Sequence, residues 1–245
     1  MKVTLLTHTP DPERVVAAAA NLCYSQKVDV DTLMSSLTPE SIKKLLTMLQ
    51  NSGHESPFEH ASFTFAIEGV SRAFLAQITR HRVGASYSVR SQRYCSEADF
   101  ETIMPPAVEA NDEARIAYRS VMADIKNAYT KMQELGIKNE DARSVLPNSC
   151  ETRMIVTMNT RELWHFFNER CCTHAQLEIR QVANEMLRQC KEAAPLLFQN
   201  AGPKCVKGYC PEGKRGCGKA PTMEELLRVR MMLKWDEAMT KTTEA

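Results

Sequence analysis

The sequence predicts an α+β protein, a mainly helical chain packed on a small mixed or antiparallel sheet. Three observations predict it. Helix start and stop signals recur along most of the chain, and only a few short stretches alternate with the period of a strand. Strands and helices follow one another too irregularly, and with too few strand signals, for a doubly wound sheet.

Taken in order, Lys2 to His8 reads as an opening strand and Pro12 to Leu22 as a helix. Thr38 as N-cap with Pro39 at the first helical position starts a second helix, which stops near Gly53. From Ala61 to Val70, Phe63, Phe65 and Ile67 alternate with Ser62, Thr64 and Ala66, which predicts a strand with one buried face. Ser71 caps the next helix, whose apolar Phe74, Leu75 and Ile78 leave Gln77, Arg80 and His81 near its end. An arginine-rich run is therefore expected to begin at a helix C-terminus and continue through a loop. Asn111 to Leu135 reads as a long helix ending at Gly136, Thr152 to Met158 as a strand, and Asn159 to Cys171 and His174 to Ala193 as helices. With no long linker and no internal repeat, the expectation is one domain over 1–200, with a Cys/Gly-rich loop and an amphipathic helix (Met223 to Met239) appended over 201–245.

Composition narrows the function. The chain has 245 residues, 43% of them hydrophobic, enough to bury a real core. Thirty-one Lys and Arg stand against 30 Asp and Glu, a net charge of +1, and 7% of residues are aromatic; neither value suits a protein that binds nucleic acid through phosphates and stacked bases. No run approaches the roughly 20 apolar residues of a membrane span, and the apolar stretch at the start is too short for a signal peptide, so a cytoplasmic protein is expected. Nine cysteines in such a chain point to thiols or metal ligands over a disulfide framework.

The positive charge is concentrated. Between Arg80 and Tyr94 lie four arginines, one histidine and three serines. A basic run is most often a solvated face or a nucleic-acid patch. Here the neutral overall charge favours a local anion site, since guanidinium forks and serine hydroxyls suit a phosphate group. The ligand class read from these residues is a phosphorylated small molecule. There is no Gly-x-Gly-x-x-Gly and no Walker-type loop, so a nucleotide must be held by side chains. Three further stretches fit that need. In Gly53 to His60 two histidines six apart flank two glutamates, not a standard zinc spacing, and the plain alternative is a turn before a strand. Leu146 to Arg153 brings one more arginine to a strand entrance, where a solvated edge charge is the commoner role. In Phe166 to Arg180, His174 and Glu178, like Gln176 and Arg180, are four apart and are expected on one helix face, a spacing usually used by weak surface pairs.

Together these blocks resemble the flavin-dependent thymidylate synthases. The signature of that family is Arg-His-Arg, a gap usually of two residues, Ser, four residues, Ser, any residue and Arg, usually followed by Tyr. Here Arg80-His81-Arg82 is followed after three residues by Ser86, and after four more by Ser91, Gln92, Arg93 and Tyr94. The stretch His54 to His60, the pair Thr152-Arg153 and the block Ala175 to Arg180 are similar to the family's other blocks, in the same order.

The resemblance implies a ThyX-like fold and conversion of dUMP to dTMP, with methylene-tetrahydrofolate supplying the carbon and FAD, reduced by NADPH, supplying the hydride. It implies that Ser56, His54, Arg80, His81 and Arg82, with Asn168, Glu169, Arg170, Cys171 and His174, hold FAD. It assigns dUMP to Gln77, Ile78, Thr79 and Arg80, to Val89, Arg90, Ser91, Gln92 and Arg93, and to Arg153 and Arg180. Arg180 and Ser91 are the residues it places at the reacting uracil. Negative charge that builds on that ring calls for a guanidinium such as Arg180. Ser91 has no neighbouring base in sequence, so it reads as a binding group. Cys95 is the competing nucleophile, with Arg90 and Arg93 near enough in sequence to lower its pKa. The family's homotetramers with shared active sites imply the same assembly here, with small-molecule partners, no nucleic acid and no membrane.

The tail is not absorbed by the resemblance. Cys205, Cys210 and Cys217 sit in a Gly- and Pro-rich stretch, where zinc could staple the loop if Cys190, Cys171 or Cys172 served as fourth ligand. The stretch lacks a Cys-x-x-Cys pair, and the expectation is free reduced thiols with no metal.

Overall fold

Four antiparallel strands, β1 (Lys2–His8), β2 (Ser62–Ser71), β3 (Ala85–Val89) and β4 (Glu151–Asn159), form one sheet in the order β1-β2-β4-β3. The structure is a computed structural model that describes residues 1–25, 29–225 and 227–228. Phe63, Phe65 and Ile67 on β2 stand opposite Met158, Val156 and Met154 on β4, and all six are buried. Direct cross-strand partners share a face, so one side of the sheet is a continuous apolar layer. The opposite side carries Thr64 and Thr157, whose hydroxyls meet at 2.9 Å, with Arg153 and Ile155 exposed beside them.

The chain divides into two compact units, Met1–Glu162 and the chain from Leu163 onward. In the first, α1 (Pro12–Leu22) packs against α2 (Val30–Ser36), α3 (Pro39–Ser52) and the short 3-10 turn Ser56–His60. The Thr38 hydroxyl accepts from the Ser41 N–H and the Ser41 hydroxyl accepts from the Thr38 N–H, so α3 starts in a reciprocal cap; it ends at Gly53 with φ 73°. Both signals were legible in the sequence. Ser71 caps α4 (Arg72–Ile78) by accepting from the Phe74 N–H at 3.1 Å. Beyond β3 come α5 (Pro106–Glu109), the long α6 (Asp112–Glu134) capped by Asn111, and α7 (Asn139–Ala142). Next in sequence come β4 and α8 (Thr160–Arg170).

In the unit from Leu163 onward, α9 (Leu177–Ala193) packs on α10 (Pro195–Phe198). Phe166, Phe167, Ile179, Val182, Met186 and Phe198 are fully buried there, and Trp164 Nε1 donates to the Leu197 carbonyl at 3.0 Å.

Three expectations need correction. The arginine-rich run is not loop throughout, because Ala85 to Val89 forms β3, the sheet edge on β4. The alternation of Ala85, Tyr87 and Val89 with exposed Ser86 and Ser88 is a strand pattern that the basic flanks obscured. The last long helix begins at Leu177, so His174 lies in the turn before it and does not share a helix face with Glu178. Helix α2 was missed, since its seven residues are too few to show a periodicity. The helix expected over Met223 to Met239 lies outside the described residues apart from positions 223–225 and 227–228.

Candidate active site

The signature run is built on a network of buried and half-buried polar groups. His81 and Glu162 are 4% and 7% exposed, and His81 Nδ1 lies 3.0 Å from Glu162 Oε1, so Nδ1 carries the proton and donates. Glu162 is fixed in turn, for its backbone N–H donates to Asn159 Oδ1 at 2.9 Å, capping α8. The Tyr87 hydroxyl donates to the carbonyls of Ile78 (2.8 Å) and His81 (2.7 Å), tying β3 to the end of α4. Burial, reinforced by nearby Glu162, pushes the Tyr87 phenol well above its ordinary pKa, so it stays a donor. Gly84 makes the turn into β3 with φ 74°, its carbonyl accepts from the Asn159 N–H, and a Cβ there would lie 2.4 Å from Asn159 Nδ2. The extra residue among Val83, Gly84 and Ala85 is thus taken up in a turn that only glycine fits.

This frame leaves Arg80 and Arg82 exposed on either side of buried His81. Neither has a hydrogen-bond or carboxylate partner among the described residues, and the same holds for Arg153, exposed on β4. The backbone N–H of Arg90 donates to the Arg153 carbonyl at 3.1 Å, which places those two residues side by side. Three uncompensated guanidinium groups in a charge-balanced chain are a strong attraction for an anion.

The other basic residues of the run are already engaged. Arg90 Nη1 donates to both oxygens of Glu97 at 2.7 and 2.8 Å, and Glu97 is 3% exposed. That hydrogen bond raises the Arg90 pKa, and the Glu97 N–H donates to the Tyr129 hydroxyl at 3.1 Å. Arg72, buried enough to lower its pKa, donates through Nη2 to the Arg90 carbonyl. Arg93 reaches Glu140 at 3.0 Å and lies over the Tyr94 ring. The Ser91 hydroxyl accepts from the Arg93 N–H at 3.2 Å, and no base that would activate it bonds to it among the described residues. Gln92 and Val89 are half-buried beside it, Gln77 Nε2 donates to the Ala73 carbonyl, and Thr79 donates to the Leu75 carbonyl. Ile78 has a fully buried side chain, so only its backbone faces this region.

In the stretch Gly53 to His60, His54 and Ser56 are exposed, and Phe58 is fully buried. Glu55 and Glu59 both pair with Arg161, at 3.3 and 2.5 Å, which presents the His54 to Ser56 turn.

In the unit from Leu163 onward, Asn168, Glu169, Arg170 and His174 line one cavity of about 190 Å³. Glu169 accepts from Lys204 at 2.7 Å, and this bond lowers the carboxyl's pKa. A second cavity of about 430 Å³ is lined by Cys171, His174 and Arg180 among others. Cys171 is buried, and burial pushes its thiol up to about 12, so it is an apolar wall residue and not a nucleophile. Arg180 Nη1 donates to the Thr173 carbonyl at 3.1 Å, leaving Nε and Nη2 without a partner among the described residues.

Sequence reasoning did not single out Glu97, Tyr87, Asn159 or Glu162. Glu97 and Glu162 act by being buried against a residue of the signature, and half-buried Tyr87 and Asn159 act through hydrogen bonds to distant backbone, neither of which a single sequence displays. The Tyr87 alternation was the one available signal.

The sequence from residue 4 to residue 196 matches the family model described as "Thymidylate synthase complementing protein". A flavin-dependent thymidylate synthase of Clostridium tetani is 48% identical over 242 residues, covering 92% of this chain and 96% of the relative. That of Geobacter sulfurreducens is 50% identical over 230 residues, covering 93% and 98%, and that of Pyrococcus furiosus is 38% identical over 221 residues, covering 86% and 90%. Similarity of that strength, running through the signature and nearly end to end in both partners of each comparison, shows that the chain belongs to the flavin-dependent thymidylate synthases.

Proposed function

We propose that this protein makes thymidylate, transferring a one-carbon unit from methylene-tetrahydrofolate to dUMP and releasing dTMP. The observation that carries the reading is the family's signature folded so that Arg80, Arg82 and Arg153 stay exposed and uncompensated by any carboxylate among the described residues. The donor set fits an FAD as well as a nucleoside monophosphate, since guanidinium groups bind phosphates in either. When bound, FAD reduced by NADPH supplies the hydride that completes the methyl group.

In this reading His54, Ser56, Arg80 and Arg82 contact FAD directly, and buried His81 positions the two arginines through its bond to Glu162. Asn168, Glu169, Arg170, Cys171 and His174 contribute to the same cofactor. Gln77 to Arg80, Val89 to Arg93, Arg153 and Arg180 bind dUMP. Arg90 acts there by positioning Arg153, because its guanidinium is held by Glu97 and its backbone N–H donates to the Arg153 carbonyl. Arg180 offers its remaining donors to the uracil oxygens as negative charge builds on the ring. Ser91, with no base beside it, binds and orients. The fold is the ThyX fold, with the catalytic domain over 1–200 and the segment 201–245 appended to it. The assembly is a cytoplasmic homotetramer with shared active sites.

Colour gives the direct test. Purified protein is expected to be yellow, to lose flavin absorbance on addition of NADPH, and to form dTMP from dUMP and methylene-tetrahydrofolate. A colourless preparation that also fails to take up added FAD overturns the reading.

A further inference from the structure

Apart from the Lys204 pair with Glu169 at its start, the segment from Pro203 to Pro221 has little to hold it in a fixed shape. Among its described residues no apolar side chain is fully buried; Val206 and Tyr209 are 44% and 43% exposed. Apart from Cys210 N–H to the Pro221 carbonyl, the backbone bonds within it are short-range, such as Gly208 N–H to the Cys205 carbonyl and Gly216 N–H to the Gly213 carbonyl. A segment of this kind does not offset its conformational entropy by burial alone.

What it does bring together is sulfur. Cys172, in the turn between α8 and α9, lines both cavities of that unit along with Cys205 and Cys210, and Cys217 joins them in the larger one. A Cβ on Gly216 would sit 3.0 Å from Cys210 Sγ, so the residue next to Cys217 already abuts the Cys210 sulfur. Cys217 lies beside the Thr173 hydroxyl, and Cys205 is within electrostatic reach of Cys210, Cys172 and Cys217. Buried Cys190, on α9, lines neither cavity. Lys204 and Lys219 line the same walls and would compensate the charge of several thiolates.

We propose that Cys172, Cys205, Cys210 and Cys217 form a four-thiolate site for a soft divalent cation of the zinc class, which staples the 203–221 segment to the turn that carries Thr173. Sulfur is the preferred ligand of such ions and four ligands the structural coordination number. No three of the sulfurs lie within 4.8 Å of one another in this structure, so binding requires thiol rotation on turns rich in glycine. Binding displaces the thiol protons to solvent and involves no redox change. The consequence reaches the active site, because the Thr173 carbonyl is the acceptor that orients Arg180.

The test is metal analysis of the flavin-loaded enzyme, purified with reductant and without chelator. About one zinc per chain is expected, bound by four sulfurs at about 2.3 Å in X-ray absorption. Cys210→Ser and Cys217→Ser are each expected to lose at least about tenfold in retained zinc, and Cys23→Ser to keep it. Less than about a tenth of an equivalent of zinc, both as purified and after incubation with zinc chloride and desalting, overturns the site. So does a coordination shell of nitrogen and oxygen, or a disulfide among Cys205, Cys210 and Cys217 in protein kept under reductant. The X-ray absorption measurement needs only the unaltered protein, so a variant that fails to fold does not shelter the proposal.

Discussion

At the scale of single residues, the proposed site separates groups with open donors from groups that hold those in place. Arg180 keeps donors without a partner among the described residues on the wall of a cavity of about 430 Å³ and is held by a bond to a neighbouring carbonyl. Arg180→Ala is expected to fold with an unchanged melting temperature and to lose on the order of 100- to 1000-fold in turnover, the usual effect of removing a donor to developing charge. Steady-state kinetics of dTMP formation check this, and normal turnover sinks the assignment. Cys95 is half-exposed, its N–H donates to the Ser91 carbonyl, and the proposed hydride route gives its thiol no step. Cys95→Ser should keep turnover within about twofold of the parent, as expected of a change away from the transition state; a loss comparable to that of Arg180→Ala would restore the thiolate mechanism.

At the scale of elements, the signature works because a turn, a sheet edge and a helix cap interlock. Gly84, at φ 74° and hard against Asn159, is the point where they meet. Gly84→Ala is expected to cost about 1–2 kcal/mol from the left-handed backbone alone. Displacing Asn159 would also loosen the cap of α8 and with it Glu162 and His81, so flavin affinity should fall along with the melting temperature. Unfolding curves at several FAD concentrations measure both, and an unchanged curve contradicts the network. The Lys204 strap gives a pH effect of defined sign. Lys204 holds the Glu169 carboxyl below its ordinary value of 4.5, so the strap contributes fully above that value and is lost as pH falls through the lowered one. Both side chains are well exposed, so the effect on global stability is small. Protection of the amides of residues 204–208, taken relative to the intrinsic exchange rate at each pH, should fall on acidification below pH 4.5, and Glu169→Gln should lower it already at neutral pH and remove that dependence.

At the scale of the whole molecule, charge is balanced while the signature arginines are not. Electrostatic attraction to substrate is therefore local, and dUMP affinity should fall with salt more steeply than overall stability does. The proposed assembly is tested by sedimentation of the flavin-loaded enzyme, where a species of four chains is expected at micromolar concentration. A monomer with full turnover would end the shared-site reading.

The sequence by itself determined the elements whose signals are local. Thr38 with Pro39, Ser71, Asn111 and Gly53 set helix ends where the structure has them, and the Phe63, Phe65, Ile67 alternation set the buried face of β2. Caps and periodicity need only a few neighbouring residues, and the ordered signature blocks marked the family for the same reason. Tertiary structure decided which of the four signature arginines remain available. Arg90 and Arg93 are taken by Glu97 and Glu140, which lie 7 and 47 residues away in the chain, whereas Arg80 and Arg82 have no partner among the described residues and flank a histidine held by Glu162, 81 residues away. Ion pairing and burial depend on contacts between segments apart in the chain, such as the pairing of β3 with β4, and those exist only in the folded protein.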